Sequence, residues 1–160
     1  MEAVYFINSD KYVIRNCELH DVDTHYEYVR EVILSDTSEE AYKNAMIHSV
    51  EQNLAWYVMK NDEFMGYLYV SREGNVFNGN AIYGIDLYSM GLVWNQLFEV
   101  VGAVCVRFKP HKGQLVKFIS IADKGSIRLF HAGIKDYIVV DIKDIEPKVR
   151  AILDSVGVHK

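Results

Sequence analysis

An anion is most easily held where a helix begins just after a strand, because the first backbone N–H groups of the helix have no partner of their own. This chain has one such candidate. The apolar run Ala81-Ile82-Tyr83-Gly84-Ile85-Asp86-Leu87 reads as a strand, and Gly91 heads the amphipathic stretch Gly91 to Phe108. Asp86 is the one carboxylate in the run. It falls at the carboxyl rim, where open α/β sheets put ligands. There it is either a base that takes a proton from an amine, directly or through water, or simply a strand-end carboxylate. The turn Leu87-Tyr88-Ser89-Met90-Gly91-Leu92-Val93-Trp94-Asn95-Gln96 has one glycine, and no Arg or Lys lies between Gly74 and Val106. A diphosphate needs close backbone approach and compensating charge. Bulky Met90 and Trp94 suit a helix start used for packing instead.

Other reactive residues are scattered. Cys17-Glu18-Leu19-His20 has Cys-x-x-His spacing, but no second pair completes a zinc site, and His48 and His111 stand alone. No metal is expected. Cys105 falls on the apolar face of the long amphipathic stretch, where thiolate formation is disfavoured. His131 reads as a helix residue and not a catalyst. Arg107, Lys109, His111 and Lys112 flank Pro110 as a locally positive loop, which reads as a solvated one.

The elements that must position these residues follow from periodicity. Lys11 to Arg15 reads as a first strand, preceded by the apolar run Tyr5-Phe6-Ile7 and the turn triplet Asn8-Ser9-Asp10. Val22, Tyr26, Val29 and Ile33 recur at helical steps, so a helix starts at Asp21 or Asp23 and runs to about Leu34. Ser38 caps a second helix that ends near Gln52-Asn53. Ala55 to Met59 and Phe64 to Val70 form an antiparallel hairpin around Asn61-Asp62. Gly74 to Asn80 reads as a loop, with Asn75-Val76-Phe77 as a brief strand. In the stretch Gly91 to Phe108, Leu92, Val93, Leu97, Val100, Val101, Val104, Cys105 and Phe108 share one helical face. A strand at Leu115 to Ile121, a short helix within Asp123 to Gly133, a strand at Tyr137 to Ile142 and a helix from Glu146 to Val156 complete the chain. Pro147 suits the first turn of that last helix and Gly157 its stop. The fold class is therefore α/β with a mixed sheet: an antiparallel meander followed by a parallel β-α-β unit.

Composition narrows the rest. The 160 residues suit one domain, residues 1–160, and half of them are hydrophobic. A formal net charge of −5 argues against a nucleic-acid surface. No run approaches the length of a membrane span, and the N-terminus lacks a signal-peptide pattern. The two cysteines, Cys17 and Cys105, read as reduced thiols of a cytosolic-type protein.

The order of elements resembles the GNAT acyltransferase superfamily, whose fold binds acetyl-CoA between two splayed parallel strands. The likeness covers roughly Lys11 to Ile142. Its best local match is Ile119 to Ile134, similar to the family's second CoA motif: a strand, a small polar residue, a short helix with Leu-Tyr, then Gly-Phe. The Tyr-rich version here looks most like the GNAT-like proteins of tailed bacteriophages. The resemblance implies acetyl-CoA as cofactor if the chain is active, held around Tyr88, Met90, Gly91, Leu92 and Asp123. It implies a general base on the strand Ala81 to Leu87 or on the one at Leu115 to Ile121, and Asp86 is the only carboxylate in the first. The family's general acid, a Tyr in the short helix, matches Phe130, which has no proton to give, so Tyr137 is the nearest substitute.

Two readings follow. The first is a GNAT-fold protein with degraded acetyl-CoA motifs and no cofactor, located in the host cytoplasm or the virion. It would bind a virion or host protein, or a second copy of itself. The second is an active N-acetyltransferase. Trp94, Tyr88 and Phe77 are expected to cluster near the rim, where an exposed apolar patch would mark a protein partner.

Overall fold

The computed structural model describes residues 2–28, 30, 38–74, 76–84, 87–98, 105–108, 127–132 and 135–155. Two tight hairpins begin the sheet. β1 (Glu2–Ile7) pairs antiparallel with β2 (Asp10–Asn16) across Asn8 and Ser9, and β3 (Ala55–Lys60) pairs antiparallel with β4 (Glu63–Glu73) across Asn61 and Asp62. All four turn residues have positive φ, at 51°, 73°, 49° and 67°. That is the backbone of a type I′ turn, which matches the natural twist of the flanking strands. Asn61 also ties the hairpins together. Its side-chain carbonyl accepts from the Lys11 N–H at 2.9 Å, and its amide NH2 donates to Asp10 Oδ1 at 2.8 Å.

β2 pairs antiparallel with β3, and β4 with β5 (Val76–Gly84). The expected loop at Gly74 to Asn80 is mostly strand: β5 is continuous from Val76. Its polar residues sit there because Tyr69 pairs with Ala81 but Val70 pairs with Gly79, which leaves Asn80 as the extra residue of a β-bulge. The Asn80 side-chain amide donates to Ala45 O at 3.1 Å and to Ser49 Oγ at 2.8 Å, so the bulge is fastened to the helix above it.

α3 (Leu87–Phe98) follows, then β6 (Cys105–Phe108), which runs parallel to β5 in the register Val76↔Cys105 to Gly79↔Phe108. The long helix expected over Gly91 to Phe108 is thus described as helix to Phe98, and its last four residues, Cys105–Phe108, are strand. Its tail is rich in β-branched and aromatic residues, Val106 and Phe108 among them, and these favour a pleated surface. The β-α-β unit drawn over Ala81 to Ile121 is not confirmed in that form, since Leu115 to Ile121 lies outside the described residues. β7 (Ile127–Ala132) and β8 (Lys135–Asp141) form a hairpin, so the residues expected in a short helix are strand where they are described. The sheet order is β1-β2-β3-β4-β5-β6-β8-β7.

Helices cover both faces. α1 (Asp21–Glu27) and α2 (Glu39–Glu51) lie on one side. α1 stops at Glu27, with Tyr28 as its cap, and not at Leu34; residues 31–37 lie outside the described set. α2 begins as expected: Ser38 Oγ accepts from the Ala41 N–H at 3.1 Å. On the other side α3 packs on the sheet and α4 (Ile142–Ser155) packs on α3. α4 starts four residues earlier than expected, so Pro147 lies within the helix and not in its first turn. No helix among the described residues is long and apolar enough to cross a membrane.

Candidate functional site

The carboxyl end of β5 and the start of α3 are separated by only Ile85 and Asp86. Both residues fall outside the described set, and so does Asp123. The start of α3 is largely covered: Ser89 in its first turn and Gly91 and Leu92 just after it are buried, and Tyr88 is half-buried against the core. Gly91 faces α4. A Cβ placed on it would stand 3.5 Å from Leu153 Cδ2 and 3.9 Å from Val149 Cγ1. Met90 lies in the same turn. Tyr137 lies on β8, directly opposite Phe130 on β7, with β6 between β8 and β5. The residue proposed as general acid and the one it was to replace are therefore cross-strand partners.

The aromatic patch expected at the rim is not there. Trp94 and Phe77 are fully buried in the core under α3, with Leu92, Leu97, Leu68 and Val70. They face inward because α3 lays its apolar stripe on the sheet.

A second group of chemically capable residues sits under α1, and its centre, His25, belongs to no motif in the sequence. Cys17 and His20 do not come together. His20 is exposed beside Glu18 and Asp21, whereas Cys17 is buried with its Sγ 4.0 Å from His25 Nδ1. His25 Nδ1 is also 2.6 Å from the Tyr69 hydroxyl, a hydrogen bond in either tautomer of the ring. The imidazole stacks on Tyr67 at 5.2 Å and touches Tyr57 and Phe64. The signal was available: His25 follows Val22 by three positions and precedes Tyr26, on the stripe that α1 buries.

Burial sets the protonation of this group. It pushes His25 down to about 4, against a weaker opposing pull from Asp21, and it pushes the Cys17 thiol and the Tyr69 hydroxyl up. All three are neutral near pH 7. A thiolate–imidazolium nucleophile is disfavoured here, and the cluster works as a hydrogen-bonded plug between α1 and the sheet. A polar cleft of about 340 Å³ opens beside it, lined by Glu2, Arg15, Glu18, Asp21 and Tyr57 among others. Its Arg15 is committed to Glu2 at 2.7 Å. No group of three or more His, Cys, Asp or Glu side chains that could hold a metal occurs among the described residues.

No family model and no curated protein matches the sequence. Solved structures do match. Mycobacterium smegmatis RimJ in complex with CoA-disulfide aligns with a TM-score of 0.58 at 8% identity, covering 98% of this chain and 94% of that one. Apo FdhC, a nucleotide-linked sugar GNAT, aligns at 0.58 with 10% identity, over 98% and 99% of the two chains. Diaminobutyrate acetyltransferase EctA from Paenibacillus lautus, in complex with L-2,4-diaminobutyric acid and coenzyme A, aligns at 0.55 with 13% identity, over 81% and 94%. The chain has the GNAT fold.

Proposed function

We propose that this chain is a GNAT-fold protein that binds a protein partner and transfers no acyl group. One observation carries the reading: the N-terminal half of α3 is committed to packing where it is described. Only two residues join β5 to α3, Ser89, Gly91 and Leu92 are buried, and the glycine that could admit a phosphate is closed over by Leu153 and Val149. A coenzyme diphosphate needs free N–H donors at an open helix end, with cations nearby. The sequence from Asn75 to Cys105 supplies no Lys or Arg. These residues do not suit acetyl-CoA. On our reading of the Tyr-rich sequence as resembling bacteriophage GNAT-like proteins, the partner is a virion or host protein, or a second copy. Calorimetry with acetyl-CoA tests the reading. The expected result is no binding at up to about 1 mM ligand; a dissociation constant in the micromolar range would overturn it.

An active N-acetyltransferase draws on a different observation. The parallel pairing of β5 with β6 is confined to Val76 to Gly79, and the Asn80 bulge follows immediately. The rest of β5 has no β6 partner among the described residues, which is compatible with strands that splay. On this reading Asp86→Ala slows acetyl transfer without unfolding the chain, and an unchanged rate removes Asp86 as base.

A further inference from the structure

α1 has little helical stability of its own. It is seven residues long, far short of what an isolated helix needs, and Asp, Val, Thr, His and Tyr fill six of its positions. Its N-cap residue, His20, makes no side-chain capping bond. The helix is therefore held by docking through Val22, His25 and Tyr26. His25 is the anchor that can change charge. Its side is 3% exposed and walled by Tyr57 from β3 and by Phe64, Tyr67 and Tyr69 from β4.

The groups around it offer an imidazolium little. Tyr69 and Cys17 meet Nδ1, and both are neutral. Asp21, one turn earlier, is the acidic residue that favours the charged ring. Its Oδ2 already accepts from the Glu18 N–H at 2.8 Å, and its Oδ1 faces His20, whose own charge would oppose a second one. From α2, Tyr42 is buried and neutral, while Lys43 is 2.9 Å from Asp23 and Glu39 bonds Arg30. These last pairs lie at the α1–α2 seam and consume its carboxylates. The faces of the surrounding rings attract a cation, but only weakly against the cost of burying it.

We propose that α1 is an acid-released latch: protonation of His25 undocks Asp21–Glu27 and bares the aromatic face of β3 and β4, while the strands stay paired. The sign follows from linkage. The docked ring is held down to about 4, whereas a released histidine titrates near 6.5. The open form binds the extra proton first, so opening is favoured as pH falls from 6.5 towards 4. Between pH 7 and pH 4.5 the opening equilibrium rises about 50-fold. The other face keeps its hold, because among the described residues no histidine but His25 is buried. This inference does not depend on whether the chain binds acetyl-CoA.

Amide hydrogen exchange on the full chain, corrected for intrinsic rates, tests it. Protection across Val22 to Tyr26 is expected to fall about 50-fold between pH 7 and pH 4.5, with protection across Tyr67 to Val70 unchanged. In His25→Phe the fall at α1 shrinks to less than about threefold. Constant protection at α1, a parallel loss at β4, or a loss at α1 that persists in His25→Phe overturns the latch. Should His25→Phe not fold, the imidazole titration of the wild-type chain decides by NMR. A midpoint below about 5 supports the proposal, and one at or above that value refutes it.

Discussion

The two faces of this sheet are made from different chemistry, although the same strands supply both. Under α3 and α4 the sheet presents Trp56 and Val58 from β3, and Met65, Leu68 and Val70 from β4. Under α1 and α2 the alternate residues appear: Ala55 and Tyr57, then Tyr67 and Tyr69. One face is largely aliphatic, and its cohesion depends on area and fit. The other is a set of tyrosines around a histidine and a thiol, and its cohesion also depends on hydrogen bonds being made. The first should resist pH and punish lost volume; the second should tolerate small losses of shape and respond to protons.

The largest expected effect breaks the first face. Trp94 is fully buried between α3 and the sheet. Trp94→Ala should cost about 3–5 kcal/mol, read from the urea midpoint at pH 7. A loss under about 1 kcal/mol would show that this face is not the main store of stability.

A smaller effect is expected on the second face. Tyr69→Phe keeps the ring against Tyr67, at 5.3 Å, but removes the hydroxyl that meets His25 Nδ1. The Cys17 thiol, at 4.0 Å, is a poor replacement. The cost should be about 1–2 kcal/mol, because a buried nitrogen loses its bond while its neighbours stay in place. A change of only a few tenths would mean that the cluster contributes shape alone and that the contrast between the faces is cosmetic.

The contrast also explains what could be read from the sequence. The hairpin at Asn61-Asp62 and the Ser38 cap were legible because each rests on a local rule: a pair of residues that accept positive φ, or a hydroxyl aimed at a helix N–H. The end of α3 was not. Val100, Val101, Val104, Cys105 and Phe108 continue a helical period, and periodicity alone cannot separate such a run from a buried strand. β6 is settled by its pairing with β5 and β8, which is a long-range fact. The brief strand foreseen at Val76 was right in kind but too short, because Asn78, Gly79 and Asn80 signal a loop until the bulge and α2 account for them. His25 was missed for a related reason. A lone histidine carries no motif, and its importance comes from Tyr69, 44 positions away.

The smallest effect is the sharpest test of what α3 is for. Gly91 is fifth in a twelve-residue helix, where glycine costs about 0.5–1 kcal/mol relative to alanine. A methyl group there would meet Leu153 Cδ2 at 3.5 Å, an ordinary contact. Gly91→Ala should therefore raise the urea midpoint by an amount equivalent to about 0.5–1 kcal/mol, gaining helix propensity and a little α3–α4 contact. If the helix end instead wrapped a diphosphate at this residue, the same methyl would stand against the ligand and weaken its binding. A fall in stability would mean that Leu153 cannot yield even to one methyl, and that α4 is fitted to α3 as tightly as α3 is fitted to the sheet.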